Sequence, residues 1–160
     1  MNGNGESSFV ILADTTSAGY PFARRVYEEI AKKSKDFSFS GIQVKKFRDG
    51  EVKPRLLENV RGKTCYFIHD SSKQPTDWFT ELALVNDALA KSSARRIIDV
   101  FPYLRFSRQD RKDESRVPIS AAVVAHVVDA SAHGVLTVDV HNPAIDGFYR
   151  TRFDNLHSFP

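Results

Sequence analysis

The chain has 160 residues, 41% of them hydrophobic, with a net charge of +3 and a pI of about 9.0. That suffices for one domain with a real core and excludes two ordinary ones. The mild basic excess suits a small anionic ligand, and cations mixed with acids argue against a nucleic-acid binder, whose basic residues would share one face with aromatics.

Residues 1–8, MNGNGESS, are polar and lack the apolar core of a signal peptide. They are expected to form a mobile tail ahead of a single domain over residues 9–160. No apolar run approaches the ~20 residues that a membrane helix needs, so a soluble, cytoplasmic protein without membrane contact is expected. FVILA (Phe9 to Ala13) is a short continuous apolar run, the mark of a strand buried on both faces. DTTSAG follows as a loop, then a helix with Phe22, Val26 and Ile30 on one stripe and Pro21 in its first turn. SGIQVKKF alternates as a strand with one wet face, and Arg48-Asp49-Gly50 is a turn signal. EVKPRLLENV continues extended, but Pro54 excludes a central strand, so the pair reads as a projecting hairpin flap.

KTCYFIH (Lys63 to His69) is a further buried strand holding the lone cysteine, Cys65, which fits a reducing compartment and no disulfide framework. After the polar loop DSSKQPT, a helix begins with Asp77 as its expected N-cap and carries Phe79, Leu82, Val85 and Leu89 on one face. RRIIDVFPY is the next strand and PISAAVVAHVVDASAHG the next helix, with Pro118 before it and Gly134 as its expected stop. VLTVDVH reads as the last buried strand. The alternation β-α-β-β-α-β-α-β predicts an α/β domain with a mainly parallel sheet and helices on both faces.

Ligands in such sheets sit outside the carboxyl ends of the strands. Those ends carry Asp14-Thr15-Thr16-Ser17, Asp70-Ser71-Ser72, the charged stretch Arg105 to Arg116, and Val140-His141-Asn142. Together they have the chemistry of a site for phosphates with a metal. Arg108 and Arg111 offer planar forks of donors to phosphate oxygens, and Gln109 adds an amide. Asp110, Asp113 and Glu114 either hold the arginines in place or face a metal. The bland alternative is a solvated loop of surface ion pairs, worth about 0–1 kcal/mol each. His141, after a strand and two residues beyond Asp139, is either a structural hydrogen-bonder or a metal or phosphate contact. His69, His126, His133 and His157 are weaker candidates. Neither G-x-x-x-x-G-K-[ST] nor a G-x-G-x-x-G after a strand occurs, so any nucleotide is held by other means.

FRDGE, ENVRGK, SRQDRK, SRVPISA and VDVH with IDGFY occur in order at compatible spacings. As an ordered set they resemble the N-terminal half of ribose-phosphate diphosphokinases, from about Phe9 to Pro160. The resemblance implies a three-layer, phosphoribosyltransferase-like (Rossmann-like) domain of a two-domain enzyme. That enzyme transfers diphosphate from ATP to ribose 5-phosphate with Mg2+, in nucleotide biosynthesis. It implies homo-oligomers, dimers that commonly assemble into hexamers. Phe47, Asp49, Gly50 and Glu51 would then sit on a flap at a neighbouring subunit's ATP, with Arg108, Gln109, Arg111 and Asp113 binding nucleotide from the loop. His141 and Asp139 would lie at the metal, with Asp154 a weaker third. The family's ribose-phosphate loop and catalytic loop belong to a second domain that does not occur within these residues, so the isolated half is expected to be inactive. Three departures stand out: Arg48 where the family usually has Ser, Asn142-Pro143-Ala144 after the histidine, and Arg150 in place of an acid. They leave open an alternative, a non-catalytic regulatory or scaffold subunit of the same fold.

Overall fold

The computed structural model describes residues 7–159. Most of the tail expected at residues 1–8 lies outside the described residues. In chain order come β1 (Phe9–Asp14), α1 (Tyr20–Ala31), β2 (Phe37–Lys46), β3 (Val52–Leu56), β4 (Thr64–Ile68), α2 (Pro75–Lys91), β5 (Arg96–Phe101), α3 (Ser120–Ser131), β6 (Gly134–Val138), a 3-10 helix (Pro143–Phe148) and β7 (Arg152–Leu156). They build one seven-stranded sheet of order β3-β2-β1-β4-β5-β6-β7. All neighbours run parallel except β2 and β3, which pair as a hairpin with Pro54 opposite Val44. Pro54 is tolerated because β3 is an edge strand.

Strand order steps one way from β1 to β2 and the other way from β4 through β5 to β6. Right-handed crossovers in opposite directions put helices on opposite faces. Alternate β1 residues therefore enter different cores. Ile11 and Ala13 pack with Ala23, Val26 and Ile30 of α1. Val10 and Leu12 pack with Val85 and Leu89 of α2, next to a larger cluster of Trp78, Leu82, Phe101, Val124 and Val128. The mainly parallel α/β fold with helices on both faces is as expected.

Local details differ from the pattern. The buried stripe of α1 runs through Ala23, and Phe22 is 44% exposed. Gln74, not Asp77, occupies the N-cap position of α2, without a side-chain cap; Pro75 opens the helix and Asp77 lies in its first turn, where a carboxylate suits the positive end of the helix dipole. Gly134 does not stop α3 but begins β6, where a Cβ would lie 3.0 Å from Ile98 Cδ1. The apolar strand after α3 ends at Val138 and is not the last, because β7 adds to the sheet edge.

Cys65 is fully buried, and burial, opposed by nearby Lys63, pushes its thiol up to about 12. A thiolate is the reactive form. The native chain is therefore expected to resist a disulfide reagent such as DTNB and to react with one equivalent after unfolding; fast titration of the folded chain would contradict this packing.

Candidate functional site

The sheet's carboxyl edge carries two separate polar clusters, not the single convergence that the strand ends suggested. The order of strands reverses between β1 and β4, the place where an open α/β sheet usually leaves a ligand crevice. Here a hollow of about 230 Å3 remains, and a buried ionic cluster lines it. Lys73 Nζ lies 2.5 Å from Asp14 Oδ2 and 2.5 Å from Glu81 Oε2, and both carboxylates are buried. The other Asp14 oxygen accepts the Thr16 amide at 2.9 Å and hydroxyl at 2.8 Å. Asp70 accepts the Gly19 amide at the start of α1 at 3.0 Å, and the Ser72 amide and hydroxyl. The approach is close: a Cβ on Gly19 would sit 3.0 Å from the Asp70 carboxyl carbon, so a larger residue would push that side chain aside. Burial pushes the Asp70 carboxyl up, but the Ser72 and Gly19 donors outweigh it and hold the group below its ordinary range. Burial likewise pushes the Lys73 ammonium down, and its two carboxylate partners more than reverse this. At Glu81 burial wins and moves the carboxyl up, against the pull of Lys73.

The larger cavity, about 520 Å3, lies farther along the edge, between the loop that leads from β5 to α3 and the residues after β6. Its lining includes Arg108, Gln109, Arg111, Asp113, His141 and Asn142. This loop is charged, yet it is anchored. Leu104 is buried in the main core. Arg105 Nη2 donates to the Ser71 carbonyl and, at 2.8 Å, to the Lys73 carbonyl. Phe106 takes the left-handed conformation (φ 64°) and sets its ring against Trp78 and Phe79, at 6.3 and 6.2 Å between centroids. Surrounding packing of this kind is what holds a non-glycine residue in that region. The Gln109 carbonyl accepts the Ala121 amide at 3.1 Å, and its side-chain oxygen accepts the Ser120 hydroxyl at 2.5 Å. Arg108 and Arg111 are exposed to the cavity side of this frame.

The acids do not hold the arginines. Among the described residues no ion pair joins Asp110, Asp113 or Glu114 to Arg108 or Arg111. Asp110 instead accepts Asn142 Nδ2 at 2.6 Å. Backbone contacts and core packing, not charge pairing, fix the loop.

Arg108, Gln109, Arg111, Asp113 and His141 thus surround one space, and the other expected site residues do not. Asp139 turns away: its backbone is left-handed (φ 46°) and its carboxylate accepts the Ser158 amide at 3.2 Å and the Ser158 hydroxyl. The Ser158 hydroxyl, followed by its amide, holds the Asp139 carboxyl below its ordinary value. Asp154 pairs with Arg152 at 2.8 Å and lines a hollow with Phe9, Thr64 and Arg96, the first residues of β1, β4 and β5, at the opposite edge of the sheet. Phe47, Asp49, Gly50 and Glu51 form the tip of the β2–β3 hairpin, outside the cavity lining. The tip closes through Phe47 N–H to the Glu51 carbonyl at 2.7 Å, with Gly50 at φ 94° as its turn requires. The Phe47 ring is 41% exposed.

A buried polar chain escaped the sequence reading. His69 Nε2 lies 2.9 Å from Asp99 Oδ1, and Asn86 Nδ2 donates to Asp99 Oδ2 at 2.9 Å. The His69 ring packs between Phe67 and Phe101, with centroids at 4.0 and 4.5 Å. Its signal was present: Asp99 shares one strand face with Ile97 and Phe101, so it had to enter their core and find a partner there.

A model of the N-terminal domain of ribose phosphate pyrophosphokinase matches residues 15–131. The chain belongs to this family. Among curated ribose-phosphate pyrophosphokinases, that of Neisseria meningitidis is 38% identical over 152 residues, covering 94% of this chain and 45% of its own length. That of Cereibacter sphaeroides is 44% identical over 124 residues, covering 77% of this chain and 37% of its own length. The phosphoribosylpyrophosphate synthetase structure from Mycobacterium smegmatis superposes with a TM-score of 0.78 at 29% identity, covering 93% of this chain and 48% of that one. The hypoxanthine-guanine phosphoribosyl transferase of L. donovani, with a TM-score of 0.53 and 9% identity over 82% of this chain and 64% of that one, shares the fold alone. The chain thus spans about half the length of the pyrophosphokinases it matches or less. No helix among the described residues is long and apolar enough to cross a membrane.

Proposed function

We propose that this chain is the nucleotide-binding half of a ribose-phosphate pyrophosphokinase, taking ATP into the cavity between the β5–α3 loop and the β6 end for diphosphate transfer to ribose 5-phosphate. The observation that carries this reading is the gathering of Arg108, Gln109, Arg111 and His141 around one cavity in a member of this family. Guanidinium forks match phosphate oxygens, each bond charge-assisted. In phosphoryl-type transfer the protein's main tasks are to position the chain of phosphates and neutralise its charge. Arg108 and Arg111 serve both, and the Gln109 amide nitrogen is left to donate once Ser120 has taken its oxygen.

Mg2+ keeps several waters and binds through one or two protein groups and phosphate oxygens. The lining fits an ion that arrives with the nucleotide: His141, Asp113 and Glu114 supply a few donors, while the described residues hold no cluster of three or more His, Cys, Asp or Glu for a metal-only cage. His141 with Asp113 or Glu114 would hold it, and the ion would supply neutralisation of the phosphate oxygens. Asp139 accepts from Ser158 and lies outside this lining.

Phe47, Asp49 and Glu51, at the hairpin tip outside this cavity, act on the nucleotide of a neighbouring copy in a homo-oligomer, as the resemblance to the family implies. The test is calorimetric titration of the chain with ATP and Mg2+. One saturable site is expected; no heat at millimolar ATP would remove the reading. The chain by itself is expected to form no phosphoribosyl pyrophosphate when ribose 5-phosphate is added. Product formed by it unaided would overturn the assignment of catalysis to the half of the relatives that it does not match.

A further inference from the structure

The geometry points to Asn142 as a positioning residue that locks the two walls of the cavity together and keeps Asp110 off the arginines. This rests on the reading of the cavity as a phosphate site. The walls come from different parts of the chain: Arg108 and Arg111 from the loop after β5, His141 from the end of β6. Among the described residues one hydrogen bond joins them directly, Asn142 Nδ2 to Asp110 Oδ2 at 2.6 Å. It sits two residues from Arg108, one from Arg111 and one from His141.

The same amide is tied at its other end. Asn142 Oδ1 accepts the Ala144 amide at 3.0 Å and so caps the 3-10 helix Pro143–Phe148. That helix is anchored through Ile145, which is fully buried in the main core. Asn142 therefore carries the rigidity of the core out to Asp110, with its oxygen on one wall and its nitrogen on the other. An asparagine can do both jobs at once because its amide has an acceptor and donors. Alanine does neither, and aspartate keeps only the cap.

Charge gives the bond a second effect. Asp110 is half-buried and its neighbours along the loop are Arg108 and Arg111. A free carboxylate there would pair with a guanidinium and use up donors that a phosphate needs. Held by Asn142, it makes no ion pair with either arginine, and both remain open to the cavity.

The experiment uses the intact chain and four forms: wild type, Asn142→Ala, Asn142→Asp, and the reversed pair Asp110→Asn/Asn142→Asp. Two readouts are taken, amide hydrogen exchange over residues 105–119 and the affinity for ATP with Mg2+. Both single variants should speed exchange in that loop and weaken ATP about 10-fold, the loss of one hydrogen bond to a charged acceptor. Asn142→Asp should be the worse of the two, since it sets two carboxylates against each other. The reversed pair restores an amide facing a carboxylate and keeps the cap, so it should recover most of both effects. Unchanged loop exchange in Asn142→Ala overturns the lock, whatever ATP does. Faster exchange with unchanged ATP affinity overturns the positioning role. If wild type binds no ATP while exchange responds and the reversed pair rescues it, the lock stands and the nucleotide reading falls.

Discussion

Replacing Lys73 by Met is expected to destabilise the folded chain by about 3–5 kcal/mol, the usual cost of removing one partner from a buried ionic cluster. The Lys73 side chain is only 17% exposed, and its carboxylate partners on Asp14 and Glu81 are 3% and 6% exposed. Methionine fills much the same volume but leaves two negative groups close together with no cation between them. Glu81 is already pushed up by burial; without Lys73 it rises further. A raised carboxyl favours the fold at low pH and loses that contribution as pH rises through its folded value. The deficit should therefore be larger at pH 8 than at pH 5, and Lys73→Met/Glu81→Gln should recover part of it. For the wild type the sign at Lys73 is the same, but its window lies at high pH. Its raised value adds stability that is complete below the ordinary lysine range and is lost as pH climbs through the folded value. Urea unfolding of the variants at the two pH values checks the deficit, and unfolding of the wild type as pH climbs from about 9 to about 11 checks Lys73. A loss below 1 kcal/mol would mean that Lys73 is an ordinary surface cation. The consequence reaches the cavity as well, because the Lys73 carbonyl accepts Arg105 at the root of the site loop.

This cluster also marks the limit of what could be read from residues alone. Continuous apolar runs such as Phe9 to Ala13 and Thr64 to Ile68 announced buried parallel strands, because only a strand covered on both faces has no polar alternation. β7 gave no such signal: an edge strand reading Arg-Phe-Asp-Asn-Leu needs one apolar face only, and Phe153 supplies most of it. Phe37 and Phe39, alternating with serines, lengthened β2 beyond its expected start for the same reason of period. The rule that ligands gather at the carboxyl ends named Asp14, Asp70, Arg108 and His141, but not Lys73 or Glu81. It could not say which of them share a space, since that depends on Lys73 pairing with Asp14, 59 residues away, inside the crevice at the switch point. Asp139 shows the same limit at short range. It stands two residues before His141, yet its left-handed backbone turns it toward Ser158 and away from the cavity.

Arg108→Ala is expected to weaken ATP binding about 10- to 100-fold, the range for losing charge-assisted hydrogen bonds to phosphate. Arg108 lines the main cavity and is exposed, with no carboxylate partner among the described residues, so its donors are not committed elsewhere. It follows the anchored Phe106 and the buried Ser107 in the chain, which makes its position a property of the core. Arg108→Lys keeps the charge but not the planar fork, and should fall between alanine and wild type. Because the contact is electrostatic, the gap between wild type and Arg108→Ala should narrow as salt rises. Arg24, paired with Glu28 at 3.4 Å on the outer face of α1, is the matched control and should leave affinity unchanged as Arg24→Ala. Equal loss in both variants would assign the effect to net charge alone. No loss in Arg108→Ala would take this guanidinium out of the site and, with it, the strongest reason for placing phosphates between the two loops.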